Sequence, residues 1–191
     1  MELLQQKVKE DGVVIDGEIL KVDSFLNHQI DAQLMYEIGK TFYETYKDEN
    51  ITKILTIEAS GIAPAIMAAL HFDVPCLFAK KAQPSTLTEE VYQTDIHSYT
   101  KNKTNHVIIS KKFLNENDRV LIIDDFLANG EAALGLYDLV NQAGASCAGV
   151  GIVVEKSFQK GYQRLIDKGL SVTSLCRIAS LDDNKVTLVG E

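Results

Sequence analysis

Four short runs dense in apolar and β-branched residues, at 51–57, 74–79, 120–123 and 148–154, constrain the fold of this chain more than any other feature. A strand that is apolar at nearly every position is buried on both faces, and such strands belong to parallel sheets covered by helices on both sides. The intervening segments agree with this. After Asp31, a residue type that caps helices, Leu34, Met35, Ile38, Phe42 and Tyr46 recur at helical spacing, and the pattern ends near 48–50. A small-residue helix is predicted over 63–70 and another over 130–141. Strands alternating with helices select a doubly wound α/β fold with right-handed crossovers.

Between Lys80 and Asp118 the pattern changes. Residues 83–88 are polar, 91–99 alternate, 101–105 are polar again and 107–109 are apolar. This reads as a hairpin bearing a mobile loop, about 83–105, that interrupts the sheet and could close over a bound substrate. It holds too few apolar residues for a core of its own. The full 191 residues are therefore expected to form a single domain.

Bulk properties narrow the function. A net charge of −8 leaves no broad basic face for nucleic acid, so an anionic ligand must be held locally. Cys76, Cys147 and Cys176 lack metal-ligand spacing and cannot all pair, which suggests reduced thiols in a cytoplasmic protein. The first nine residues carry no apolar run of the kind a secretion signal needs. No apolar stretch approaches the roughly 20 residues of a membrane-spanning helix, so neither secretion nor a membrane is expected.

The run from Val120 to Ala132 carries the most chemistry. An apolar strand delivers two carboxylates, Asp124 and Asp125, and a small-residue turn, Ala128-Asn129-Gly130, then opens a helix at Glu131 and Ala132. Unpaired N–H groups at a helix N-terminus bind phosphate without needing a cationic side chain. Ionised carboxylates accept hydrogen bonds from vicinal ribose hydroxyls, and they stabilise positive charge developing on a sugar ring. The alternative is a strand end followed by a simple Asn-Gly turn. Neither a G-x-G-x-x-G fingerprint nor a Walker P-loop is present. A second small-residue turn, with Ser60 and Gly61 after Glu58, could present amides to another phosphate or merely cap a helix.

In order and spacing the 120–132 run resembles the signature of the type I phosphoribosyltransferases, which use 5-phosphoribosyl 1-diphosphate (PRPP) and Mg²⁺. Many members carry Thr where Asn129 stands and Thr or Ser where Ala132 stands, so backbone amides must do more here. The resemblance implies an α/β fold with a central, mostly parallel sheet flanked by helices, a small hood and a flexible hairpin loop. The hood would draw on residues 1–30 and parts of the C-terminal segment. It further implies Asp124 and Asp125 as catalytic residues, and Ala128, Asn129, Gly130, Glu131, Ala132, Ser60, Gly61 and Lys81 as PRPP-binding. Magnesium would be held mainly by the diphosphate, with no dedicated protein ligands. A homodimer is implied too, with Lys80 or Lys81 able to reach the neighbouring subunit's site; a solvated surface pair is the alternative.

The similarity continues through 20–30 and 154–158, where the chain is similar to bacterial members of the family that use xanthine. By that resemblance Leu20, Asn27 and Lys156 contact the base. Xanthine offers carbonyl oxygens at C2 and C6 to an ammonium and an amide, whereas adenine would leave those donors unpaired. Without the resemblance, Lys156 could equally form a salt bridge and Asn27 a turn, and Phe126 and Phe158 could stack on a purine or fill the core. Another purine (guanine, hypoxanthine or adenine) or a PRPP-sensing regulatory homologue remain the alternative readings.

Overall fold

The computed structural model describes residues 1–81, 90–98 and 103–191. The chain opens with helix α1 (Glu2–Asp11), which buries Leu4 and Val8, and a two-stranded antiparallel ribbon, β1 (Val13–Ile15) and β2 (Ile19–Lys21). The ribbon turns through Asp16 and Gly17, both at positive φ, a backbone state that Asp-Gly pairs tolerate. A single π-helical turn, Asp23–Asn27, leads into α2 (Ala32–Tyr46). The Asp31 carboxylate accepts a hydrogen bond from the Leu34 N–H at 3.0 Å, so it caps α2 as its position predicts.

The expected alternation follows: β3 (Lys53–Ile57), α3 (Ile62–Phe72), β4 (Cys76–Lys81), then β7 (Arg119–Leu127), α4 (Glu131–Gln142) and β8 (Ser146–Lys156). Between β4 and β7 lie β5 (Val91–Ser98) and β6 (Lys103–Ser110). The chain closes with α5 (Gly161–Asp167), β9 (Val172–Ser180) and the short β10 (Thr187–Leu188). Among the described residues one sheet runs β10-β9-β8-β7-β3-β4-β6-β5, and its five central strands, β9 to β4, are mutually parallel.

Alternate residues of β7 feed two cores. Leu121 and Ile123 join Met35, Ile38 and Phe42 of α2 on one face, and Val120 and Ile122 join Leu136 and Leu139 of α4 on the other. This two-sided burial is why the strand reads as continuously apolar. β9 escapes that signal, because Thr173, Ser174 and Arg177 interrupt it while Leu175, Cys176 and Ile178 are buried.

Two expectations change. β7 continues to Leu127, so both aspartates lie inside the strand instead of following it. The hairpin extends the sheet edge and does not interrupt it, because Lys80 and Lys81 of β4 pair with Ile108 and Val107 of β6. Its strands β5 and β6 pair from Val91 opposite Ser110 to Ser98 opposite Lys103. Of the segment expected to form a closing loop, residues 83–89 and 99–102 lie outside the described residues.

Helices α2 and α3 cross where Gly39 leaves no room for a side chain, since a Cβ there would sit 2.4 Å from the Met67 carbonyl carbon. Gly39→Val should therefore force the helices apart and destabilise the protein by about 1–3 kcal/mol, read as a lower urea midpoint. An unchanged midpoint would mean that the crossing has slack.

Candidate active site

The sheet order places the site. From β3 the chain leaves through α3 toward β4, and from the adjacent β7 it leaves through α4 toward β8 on the other side. In open parallel sheets such a reversal of winding opens a crevice beyond the carboxyl ends of the two strands. Both small-residue turns lie there: 58–61 after β3 and 128–130 after β7. A cavity of about 350 Å³ occupies the crevice, lined by Ser60, Lys81, Asp124, Asp125 and the run 128–132, with Glu58 and Phe126. The hairpin contributes Ile96, His97 and Asn105 to the wall, three residues of the 83–105 segment that the sequence did not single out.

Asp124 is buried, 4% exposed. Burial raises its pKa well above the usual carboxylate range, the neighbouring Asp125 raises it further, and Lys81 pulls weakly the other way. The Asp125 N–H donates to Asp124 Oδ1 at 3.0 Å. Burial thus disfavours the ionised form of Asp124, while the half-buried Asp125 beside it faces the cavity.

The turn after β3 is built tightly. Glu58 Oε1 accepts from the backbone N–H of Lys81 at 2.6 Å, which ties the basic end of β4 to this loop. The Glu58–Ala59 peptide is cis. Gly61 does not line the cavity but packs closely on Thr56 and Asp124: a Cβ there would lie 2.3 Å from Thr56 Oγ1 and 3.1 Å from Asp124 Oδ1. Thr56 is fully buried, and its hydroxyl has no hydrogen-bond partner among the described residues.

After β7, Gly130 adopts φ +85°, a left-handed conformation that suits glycine, and opens α4. The first turn of α4 lines the cavity, at the positive end of the helix dipole. Lys80 does not reach the cavity. It is exposed, with its ammonium 6.0 Å from the Phe78 ring.

The three positions expected to contact the base do not line this cavity. Lys156, at the end of β8, donates to the Glu18 carbonyl at 2.8 Å, which joins it to the β1–β2 ribbon that carries the buried Leu20. Burial lowers the Lys156 pKa below the usual lysine range. Asn27 ends the π-helical turn and is exposed. Phe126 packs partly on the core and lines the cavity, whereas Phe158 is 46% exposed and fills no core.

Sequence reasoning missed two elements of the surroundings. Arg164 of α5 contacts the 128–131 segment, and the buried Glu155 accepts from the Ser157 and Ser174 hydroxyls and from Arg177. Apart from Ser157, these partners lie 19 or more residues apart in the chain, so no local motif marks them.

The folded-state pKa of Asp124 lies above its unfolded value, so its favourable contribution to folding is complete below the unfolded pKa and is lost as pH rises through the folded one. Asp124→Asn keeps the Oδ1 acceptor without the charge. It should raise the urea midpoint at neutral pH, and the advantage should shrink as the pH falls toward about 4. Equal midpoints at neutral pH would show that burial does not penalise the charge.

A sequence profile described as "Phosphoribosyl transferase domain" matches residues 22–185. Over all 191 residues the chain is 81% identical to a xanthine phosphoribosyltransferase of Macrococcus caseolyticus, covering 98% of it, and 76% identical to that of Staphylococcus aureus, covering all of it. Among solved structures, an adenine phosphoribosyltransferase from Rhodothermus marinus superposes with a TM-score of 0.74 at 21% identity, over 93% of this chain and all of that one. One from Trypanosoma brucei, in complex with AMP, pyrophosphate and ribose-5-phosphate, gives 0.76 at 20%, over 95% and 83%. At that identity the likeness speaks for the fold. With the profile spanning most of the chain and two full-length relatives agreeing, the chain belongs to the phosphoribosyltransferase family and has its type I fold.

Proposed function

We propose that this enzyme transfers ribose 5-phosphate from PRPP to N9 of xanthine, giving xanthosine 5′-monophosphate and pyrophosphate. The observation that carries this reading is the convergence of two amide-rich turns and a carboxyl pair on one crevice, in a chain 81% identical to a named xanthine enzyme. The turn at 128–132 receives the 5′-phosphate, the turn at 58–61 and Lys81 receive the diphosphate, and Asp124 and Asp125 bond the ribose hydroxyls between them.

In this scheme xanthine gives up its imidazole-ring N–H proton to solvent, the N9–C1 bond forms as the C1–O bond to pyrophosphate breaks, and no covalent enzyme intermediate is needed. Asp125 stabilises positive charge on the ribose ring, and Lys81 neutralises the departing diphosphate. Magnesium fits the donors present. No cluster of three or more acidic, His or Cys side chains stands among the described residues, while Asp125 and Glu58 offer the one or two hard oxygen donors that accompany a phosphate-borne ion. The ion, when bound through the diphosphate, would add charge neutralisation on the leaving group.

For the base, Lys156 supports an oxypurine. Its ammonium has three donors, of which the Glu18 carbonyl takes one, leaving others for a purine carbonyl. Phe126 at the cavity wall could cover one ring face. Adenine lacks the carbonyls that would satisfy these donors.

A homodimer and a cytoplasmic location complete the proposal. Ile66 and Leu70 of α3 are 47% and 64% exposed beside an open cavity of about 380 Å³ that reaches Val74 and Cys76, and Phe78 of β4 is exposed too. A second copy of this chain would cover that apolar face, where Lys80 stands nearby on the same strand. All three thiols are free, and burial pushes each up to about 11, so none is primed for oxidation.

Pyrophosphate release from PRPP and Mg²⁺ should be fastest with xanthine when xanthine, guanine, hypoxanthine and adenine are compared. Lys156→Ala should cut xanthine turnover efficiency about tenfold or more. Preference for another base would overturn the base assignment, and silence with every base despite PRPP binding would favour a regulatory role. Leu70→Glu should convert a sedimenting dimer into monomer; a native protein that sediments as monomer would remove the dimer.

A further inference from the structure

The 128–132 turn has no cation and no hydroxyl among its side chains; its one charge, Glu131, is negative and stands in the first turn of α4. An anion there must be held by backbone N–H groups and the neutral Asn129 amide, in the presence of a carboxylate. Helix α5 supplies what the turn lacks. The Gly161 N–H donates to the Ala128 carbonyl at 2.9 Å, and Arg164 Nη1 donates to the Asn129 carbonyl at 2.6 Å while also pairing with Glu131. The fit is close: a Cβ on Gly161 would lie 2.4 Å from the Ala128 oxygen, and one on Gly130 would lie 3.1 Å from Gly161 Cα.

Peptide planarity gives these bonds a direction. In a trans peptide the C=O of one residue points opposite to the N–H of the next. With the Ala128 and Asn129 carbonyls both bonded to α5, the N–H groups of Asn129 and Gly130 point away from α5, and both residues line the cavity. Resting on the reading of this turn as the 5′-phosphate site, we propose that Arg164 is a positioning residue for PRPP. Through the Asn129 carbonyl it fixes the Gly130 N–H toward the phosphate, beside the Asn129 N–H that the Gly161 bond holds, and it neutralises Glu131 without touching the substrate.

The test measures ribose 5-phosphate binding by calorimetry and the steady-state constants for PRPP and xanthine in the full-length wild type and three variants. Arg164→Gln should weaken ribose 5-phosphate and raise the PRPP KM by about tenfold or more, with kcat and the xanthine KM little changed, because the lost interaction is made equally in ground and transition states. Arg164→Lys, which keeps the charge and one donor but not the fork, should recover part of that loss, and it decides the matter if the glutamine variant fails to fold. Lys160→Gln removes a charge one turn earlier on α5, at its N-terminus, and should have a much smaller effect. Binding by Arg164→Gln equal to wild type, a lysine variant no better than glutamine, or a Lys160→Gln loss as large would each overturn the proposal. A wild-type protein that binds neither ribose 5-phosphate nor PRPP would instead remove the functional reading beneath it.

Discussion

The pairing of β3 against β7 is the contact on which the rest of the site depends. Lys53, Ile54 and Leu55 lie in register with Val120, Leu121 and Ile122, and the strands run in the same direction. Their turns therefore emerge at one edge of the sheet, and their helices leave for opposite sides. A single register thus brings together two turns separated by some seventy residues of chain. Slipping a strand by one position would move each apolar side chain to the opposite face and disrupt both cores, so hydrophobic burial itself holds the catalytic geometry in place.

Around that junction the protein accepts local costs. Asp124 is buried where its ionised form is disfavoured, and the Thr56 hydroxyl, packed against Gly61, is buried without a hydrogen-bond partner among the described residues. Groups of this kind weaken a fold, by about 1–3 kcal/mol for an unsatisfied hydroxyl. They are retained where a carboxyl must be rigid and water-poor. Glu155 is the contrasting case: it is just as buried, but two serine hydroxyls and the Arg177 guanidinium satisfy it.

That satisfied carboxylate links the two ends of the site. Glu155 precedes Lys156 on β8, and its partner Arg177 sits 5.7 Å from the Tyr162 ring in α5. Helix α5 in turn backs the 128–130 turn through Gly161 and Arg164. The support for the lysine assigned to the base and the support for the turn assigned to phosphate therefore share one short stretch of structure. Relative placement of sugar and base needs such a common frame, because reaction rates depend steeply on their alignment.

By itself, the sequence determined the class of fold, the strands buried on both faces, the Asp31 cap and the turn chemistry from Val120 to Ala132, because each depends on residues close together in the chain. The alternating strand β9 and the helices α1 and α5 were not legible, since their burial comes from partners far along the chain and leaves weak local periodicity. Likewise, the aspartates could be read as a pair, but not which of them is buried, nor that Lys81 enters the cavity while Lys80 does not. Only the tertiary structure decided those points, along with the backing of the turn by Arg164. Desolvation, strand register and the direction of a carbonyl are properties of surroundings assembled from distant segments, and no single stretch of sequence contains them.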